Sequence, residues 1–109
     1  MRIYDYITRG GKNVIKEYLN SLPKDEKEEG YNIRHNLSLN GIEYLHKLNI
    51  KPLRGKLWEI KFSKNRIMYV LADNENIYFF HACQKQKGKA EKFELDTAIK
   101  RAKEEGFKI

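Results

Sequence analysis

The sequence predicts an α+β fold: an antiparallel sheet of about four strands, two N-terminal helices packed on one face, and a C-terminal helix. Three observations lead to this prediction. Apolar residues recur at helical spacing twice in the first half of the chain. From Leu57 they alternate as in strands, and after Lys89 the helical spacing returns. The resulting order, β-α-α-β-β-β-α, fits one domain that covers residues 1–109.

The first half of the chain contains the predicted N-terminal strand and two helices. Residues Arg2 to Ile7 alternate and predict the strand. Asn13 precedes apolar residues spaced three, four and seven apart, which predicts a helix that ends at Pro23. Tyr31 to Leu39 predict a second helix. A short helical turn is expected before Lys51-Pro52, where the proline keeps the preceding residue extended.

The second half contains three predicted strands in antiparallel order, followed by the last helix. The strands are expected over Leu57 to Ser63, Arg66 to Ala72 and Ile77 to Gln84, joined by polar turns. Glu59 and Lys61 then share the polar face of their strand, opposite an apolar face. The aromatic residues are expected in the core, namely Trp58, Phe62, Tyr69, Phe79 and Phe93.

Composition indicates a folded protein without a membrane segment. The chain is 40% hydrophobic and 34% charged, and its longest apolar runs are too short to cross a bilayer. With no signal-peptide pattern at its start, a cytoplasmic location is predicted. Cys83, the single cysteine, is expected as a small buried residue. No cofactor is expected, and no metal site, because no second histidine or cysteine stands at ligand spacing.

The positive charge is concentrated in the predicted sheet. The net charge is +7, and residues 51–89 contribute nine lysines and arginines against three acids. Glu59, Lys61 and Arg66 are expected to converge across a turn. With helices on the opposite face, they would line an open basic groove suited to a phosphodiester backbone. The cations expected to hold such a backbone are Arg54, Lys56, Lys64, Lys87 and Lys89, although charge in loops is often merely solvated.

The three histidines differ in their surroundings. His35 and His46 stand among polar residues and are expected to face solvent. His81 lies in the third central strand, where its parity matches Phe79 and Cys83. Parity alone leaves two alternatives for His81, core packing or proton transfer.

Three segments of the sequence resemble motifs of the HigB branch of the RelE/ParE toxin superfamily. They are Lys51-Pro-Leu-Arg-Gly-Lys-Leu-Trp-Glu-Ile-Lys-Phe, then Arg66-Ile-Met-Tyr-Val, then Lys85-Gln-Lys-Gly-Lys89 before the last helix. The resemblance implies a RelE-like fold and a small basic ribonuclease that cuts mRNA in the ribosomal A site. It also implies contact with ribosomal RNA and neutralisation by a HigA-like helix-turn-helix antitoxin. Operator DNA would be bound only through the antitoxin complex, and no membrane partner is expected.

The resemblance also assigns roles to individual residues. Lys61 takes the place of the strand lysine of RelE-like toxins, Arg66 that of the strand arginine, and Glu59 replaces a second lysine. Lys85 and Lys87 match the basic residues after the last strand. Metal-independent cleavage through a 2′,3′-cyclic phosphate would follow, with Lys61 and Arg66 stabilising the transition state.

Proton transfer is left open by two departures from the family pattern. The adjacent lysines and the Lys-Thr-Pro of HigB-like sequences are absent, and no tyrosine follows Tyr78. Glu59 or His81 would take the 2′ proton, and Lys85 or His81 would protonate the leaving oxygen. Two other functions fit the basic sheet: inhibition of DNA gyrase, as by ParE-like toxins, or RNA binding without cleavage.

Overall fold

A computed structural model describes residues 1–85 and 87–109 of the chain. The strands are β1 (Arg2–Asp5), β2 (Asn49–Arg54), β3 (Leu57–Phe62), β4 (Asn65–Asp73) and β5 (Asn76–Gln84). The helices are α1 (Val14–Asn20), α2 (Lys24–Asn40), α3 (Ile42–Leu45) and α4 (Lys89–Glu104). The predicted elements are therefore present, with β2 added. Gln86, one of the positions at which the sequence departs from the toxin pattern, lies outside the described residues.

The five strands form one mixed sheet in the order β1-β5-β4-β3-β2. The α+β class is confirmed, but the prediction of about four antiparallel strands is wrong in two respects. β1 runs parallel to β5, because the chain crosses over through the helices before it returns to the sheet. β2 pairs with β3 at the sheet edge, where Pro52 is tolerated although it has no N–H to donate.

Two hydrophobic clusters lie on opposite faces of the sheet. Helices α1, α2 and α3 cover one face, over a cluster that includes Ile60, Ile67 and Phe79. Helix α4 covers the other face, with Ala98 and Ala102 packed in the cluster that contains Met68. The N-terminal helices therefore pack on one face as predicted, and the C-terminal helix occupies the face that was expected to be an open groove. In the described part of the chain, no helix has the length and apolar character that crossing a bilayer requires.

Local sequence explains where the first helices begin and end. The Asn13 side chain caps α1, with Oδ1 accepting from the backbone N–H of Ile15 at 3.1 Å and of Lys16 at 2.9 Å. Helix α2 begins directly after Pro23 and so includes the charged segment that precedes the predicted start. Gly41 follows α2 with φ of 65°, a conformation that favours glycine.

The expected positions of the aromatic residues are mostly correct. Phe62 and Phe79 are buried, Trp58 packs against the α1–α3 cluster, and Tyr69 is only 2% exposed. Phe93 is the exception, because it is 67% exposed on α4. Side chains two residues apart on an α-helix point in directions about 200° apart. Phe93, two residues before Leu95, therefore points away from the face on which Leu95 packs.

Candidate active site beneath helix α4

A bulge in β5 decides which side chains face α4. Met68 pairs with His81 and Tyr69 pairs with Phe79, so Phe80 has no counterpart in β4. An extra residue of this kind reverses the alternation of the side chains beyond it. His81 and Cys83 therefore lie on the α4 face, and the expected shared parity of His81 with Phe79 is wrong.

Three of the predicted catalytic residues lie on the same face of β3 and β4. Lys61 is directly opposite Arg66 in the register, two residues along β3 from Glu59. Arg66 donates to Glu59 Oε1 through Nε at 3.0 Å and also through Nη2. The predicted convergence of these side chains is therefore confirmed. It is accompanied by a burial that was not expected, since Arg66 is 2% and Glu59 3% exposed.

Helix α4 covers this group and adds acidic side chains to it. Glu91 Oε1, in the first turn of α4, lies 3.4 Å from Arg66 Nη1. Burial lowers the pKa of the Arg66 guanidinium, but the hydrogen bond and charge of Glu59 outweigh it and hold the pKa above its ordinary value. Arg66 is thus a charged group enclosed by two carboxylates. The predicted open groove is instead a closed site, because the last helix folds over it.

His81 is held from both sides by α4. Arg101 Nη1 donates to His81 Nδ1 at 3.0 Å and to the Phe80 carbonyl at 3.0 Å. Because arginine can only donate, the ring proton is assigned to Nε2, which bonds to Glu94 Oε2. Burial lowers the pKa of His81, and Glu94 opposes that effect only in part. The imidazole is therefore neutral with both nitrogens engaged.

Cys83 pairs with Arg66 across the strands and is buried in the α4 cluster, as expected of a small core residue. Burial, followed by hydrogen bonding to Glu94, raises the pKa of its thiol to about 12. At neutral pH the thiol keeps its proton in this environment. His81, Cys83 and Glu94 each have one atom that could bind a metal ion, and these three atoms all lie within 4.8 Å of one another.

Four of the predicted basic residues are exposed on the segments beside this site. The Lys85 backbone N–H donates to the Lys64 carbonyl at 2.9 Å, which joins the end of β5 to the β3–β4 turn. Lys61 and Arg66 lie next to that turn. Lys87 and Lys89 are exposed where the chain enters α4. Together these lysines form a basic rim at one end of the site, defined as Lys64, Lys85, Lys87 and Lys89.

Arg54 and Lys56 lie apart from this rim. They precede β3, so Lys56 is about 16 Å along the strand direction from Lys61. Lys56 lines a separate pocket of about 360 Å³ together with Trp58 and Tyr69, which belong to the opposite face of the sheet. The structure therefore does not bring these two cations together with Arg66. His35 and His46 are exposed, as expected.

Sequence reasoning missed three polar residues of α4 that complete the site. Glu91, Glu94 and Arg101 lie three and seven residues apart, with Ala98 in the same helical stripe. That spacing places polar groups beside the buried face of α4. The signal was present in the sequence, but which strand residues this stripe meets depends on the tertiary fold.

Arg66 and Lys61 are cations of the type that binds phosphate, and helix α4 covers Arg66 in this structure. Arg66 offers a planar set of donors, and Lys61 adds a second cation directly across the strand. Glu59 holds the guanidinium in place through one carboxylate oxygen, Oε1. Glu91 occupies a donor that a phosphate oxygen would use.

Comparison with known proteins gives one family. Residues 17–103 match the model of the family described as phage-derived protein Gp49-like (DUF891). The match spans α2, α3 and β2 to β5 and most of α1 and α4, so it includes every residue of the site beneath α4. No curated protein matches the chain.

Proposed function

The chain belongs to the Gp49-like family of phage-derived proteins, a family of toxin–antitoxin toxins of the RelE/HigB type, and we propose that it is a ribonuclease toxin that cleaves mRNA on the ribosome. The observation that carries this proposal is the position of Lys61 directly opposite Arg66, beside Glu59 on one face of the sheet. Two cations and a carboxylate within one cross-strand group suit the cleavage of a phosphodiester.

The proposed reaction needs no group from outside the chain and its RNA. The 2′-oxygen forms a bond to phosphorus while the bond to the 5′-oxygen breaks, which leaves a 2′,3′-cyclic phosphate and a 5′-hydroxyl. Glu59 is the favoured acceptor of the 2′ proton, because both Arg66 hydrogen bonds end on Oε1 and Oε2 is the atom that remains for the proton. Lys85, exposed at the end of β5, is the favoured donor to the 5′-oxygen.

Lys61 and Arg66 would stabilise the negative charge that grows on the phosphate in the transition state. A single well-placed donor of this kind contributes about 3 kcal/mol, or about 100-fold in rate. None of the ion pairs in the described part of the chain involves Lys61, so its ammonium is available to a ligand. Arg66 becomes available only when Glu91 leaves.

His81 has a supporting part in this proposal. Its Nε2 proton and Nδ1 lone pair are both used by α4 in the closed structure. Movement of α4 would free both ring nitrogens of His81. His81 pairs with Met68 in the β4–β5 register and therefore lies close to Arg66. His81 therefore remains the alternative to Glu59 as base and to Lys85 as acid.

The proposed partners are RNA, which the basic residues would bind, and an antitoxin, which the family resemblance implies. The basic rim would contact mRNA and ribosomal RNA by charge. A HigA-like antitoxin would neutralise the toxin and carry the complex to operator DNA.

The test is induction of the chain in growing cells, with the 5′ ends of transcripts mapped. We expect growth arrest and new 5′ ends within translated mRNA, both lost in Lys61→Ala and in Arg66→Ala. Cleavage and growth arrest that persist in both variants would show that the assignment is wrong. Intact transcripts with a DNA-damage response would identify a gyrase inhibitor, and ribosome binding without cleavage a non-catalytic RNA-binding protein.

A further inference from the structure

Strand β5 and helix α4 bring together three different metal-binding side chains. His81 and Cys83 are two residues apart on β5 and point to the same face of the sheet. Glu94 reaches them from α4, and the three ligand atoms lie within 4.8 Å of one another. This group is called the His-Cys-Glu cluster below. It combines nitrogen, sulfur and oxygen donors from two separate elements of the fold.

We propose that the His-Cys-Glu cluster binds one divalent transition-metal ion of the zinc type, with water as the fourth ligand. Zinc takes imidazole, thiolate and carboxylate ligands in a tetrahedron at about 2.0 to 2.3 Å. Ligand atoms in such a site lie about 3.3 to 3.8 Å apart. The cluster is thus near the required size, and small side-chain movements bring its atoms to these separations.

The charges of the cluster also fit such an ion. A thiolate, a carboxylate and a neutral imidazole together balance a divalent cation. The thiol releases its proton when the metal binds, which makes binding weaker at lower pH. The sulfur ligand favours zinc and cobalt over magnesium and calcium, which prefer oxygen alone.

Arg101 opposes metal binding at the His-Cys-Glu cluster, so replacing Arg101 is a test of the proposal. Coordination through His81 Nε2 places the ring proton on Nδ1, which now accepts from Arg101. Arg101 would have to leave Nδ1 and keep only its bond to the Phe80 carbonyl. Replacing the guanidinium with an apolar side chain removes this conflict, so Arg101→Met is expected to bind the metal more tightly than the wild type.

Metal binding at this cluster would also regulate the toxin, an inference that rests on the proposed function. An ion held by β5 and α4 together would fasten the helix to the sheet and keep Glu91 beside Arg66. Zinc would then lower the rate of RNA cleavage by holding the site closed. This makes metal availability a control on the toxin that is separate from its antitoxin.

The binding test uses the purified full chain after removal of metal with a chelator. Titration with Co²⁺ should give one ion per chain and the absorption band of a thiolate bound to cobalt, and Zn²⁺ should displace it. We expect Cys83→Ser and Glu94→Gln each to weaken binding at least about 100-fold, the upper end of the effect seen for outer-shell partners. His35→Ala and His46→Ala are the matched controls, because both residues are exposed and should leave the affinity unchanged.

Circular dichroism of each variant is used to check that its fold is retained, and Glu94→Gln changes a half-buried residue of helix α4. The proposal is overturned if the thiolate band is missing, if Cys83→Ser or Glu94→Gln binds the metal as tightly as the wild type, or if binding is lost in the His35 or His46 variant. Binding without any effect of zinc on RNA cleavage would overturn the closure alone. If no form of the chain cleaves RNA, the proposed function fails while the binding result stands.

Discussion

Lys61 lies directly opposite Arg66 in the pairing of β3 with β4, yet the two cations have different surroundings. Arg66 is enclosed by Glu59 and Glu91, whereas Lys61 is half-buried. A buried charge depends on its partner for stability, while a partly exposed one does not. We therefore expect Arg66 to serve both folding and function, and Lys61 to serve function alone.

Removing the charge of Glu59 should destabilise the fold. Glu59→Gln leaves the buried Arg66 guanidinium with only the longer contact to the partly exposed Glu91, and we expect the free energy of unfolding to fall by about 3 kcal/mol. Replacing both partners, Glu59→Leu with Arg66→Met, should cost less than the single change. Unfolding in urea measures both, and Glu17→Gln in the exposed pair with Lys12 is the control. A loss below about 1 kcal/mol in Glu59→Gln would contradict this role of the buried pair.

Weakening the contact between α4 and Arg66 should raise the activity. Glu91→Gln removes a charge that competes with phosphate, at a long and partly exposed contact of 3.4 Å. We expect RNA cleavage to rise by about two- to fivefold with little change in stability, since such pairs contribute up to about 1 kcal/mol. Glu105→Gln, exposed beyond the end of α4, is the matched control. An unchanged or lower rate in Glu91→Gln would argue against α4 as a cover.

Tyr69 should make stability depend on alkaline pH. Burial raises the pKa of its phenol to about 12, from 10.0. Above pH 10 the unfolded chain loses this proton and the folded chain keeps it, so stability falls as the pH rises from about 10 to about 12. Tyr69→Phe should reduce that fall by about 2 kcal/mol in urea unfolding at each pH. An identical slope in the variant and the wild type would contradict the burial of this hydroxyl.

Apart from Lys85, the proposed proton donor, the basic rim should act through charge rather than through chemistry. Lys64→Met and Lys87→Met are expected to weaken ribosome or RNA binding and to reduce its dependence on salt. The log-log slope should fall by about 0.7 to 0.9 for each phosphate that the variant no longer neutralises. Arg54→Met and Lys56→Met, at the far end of β3, should have smaller effects. Equal effects of the two pairs would show that RNA extends over both ends of the sheet.

The sequence was informative wherever a local pattern determined the outcome. Alternation on β3 placed Glu59 and Lys61 on one face, and the turn after it brought Arg66 opposite them. The bulge at Phe80 was not predicted, because alternating apolar residues carry no mark of an extra residue. The position of His81 depended on that bulge.

The closed site could not be foreseen for a different reason. The face of the sheet that α4 covers is determined by tertiary packing and not by local sequence. In the sequence, Glu91 and Glu94 look like ordinary charged residues of an exposed helix. Strand β2 was missed because Lys51-Pro52 resembles a loop, and only pairing with β3 makes it a strand.

Cleavage of mRNA on purified, programmed ribosomes is the most direct test of the central claim. The wild-type chain should cut mRNA in the A site and leave a 2′,3′-cyclic phosphate, and Lys61→Met should reduce the rate by about 100-fold. Lys61 suits this test because its loss should leave the fold intact, and Lys16→Met, exposed on α1, is the control. Full cleavage by Lys61→Met, or intact mRNA with the wild-type chain bound to the ribosome, would contradict the assignment.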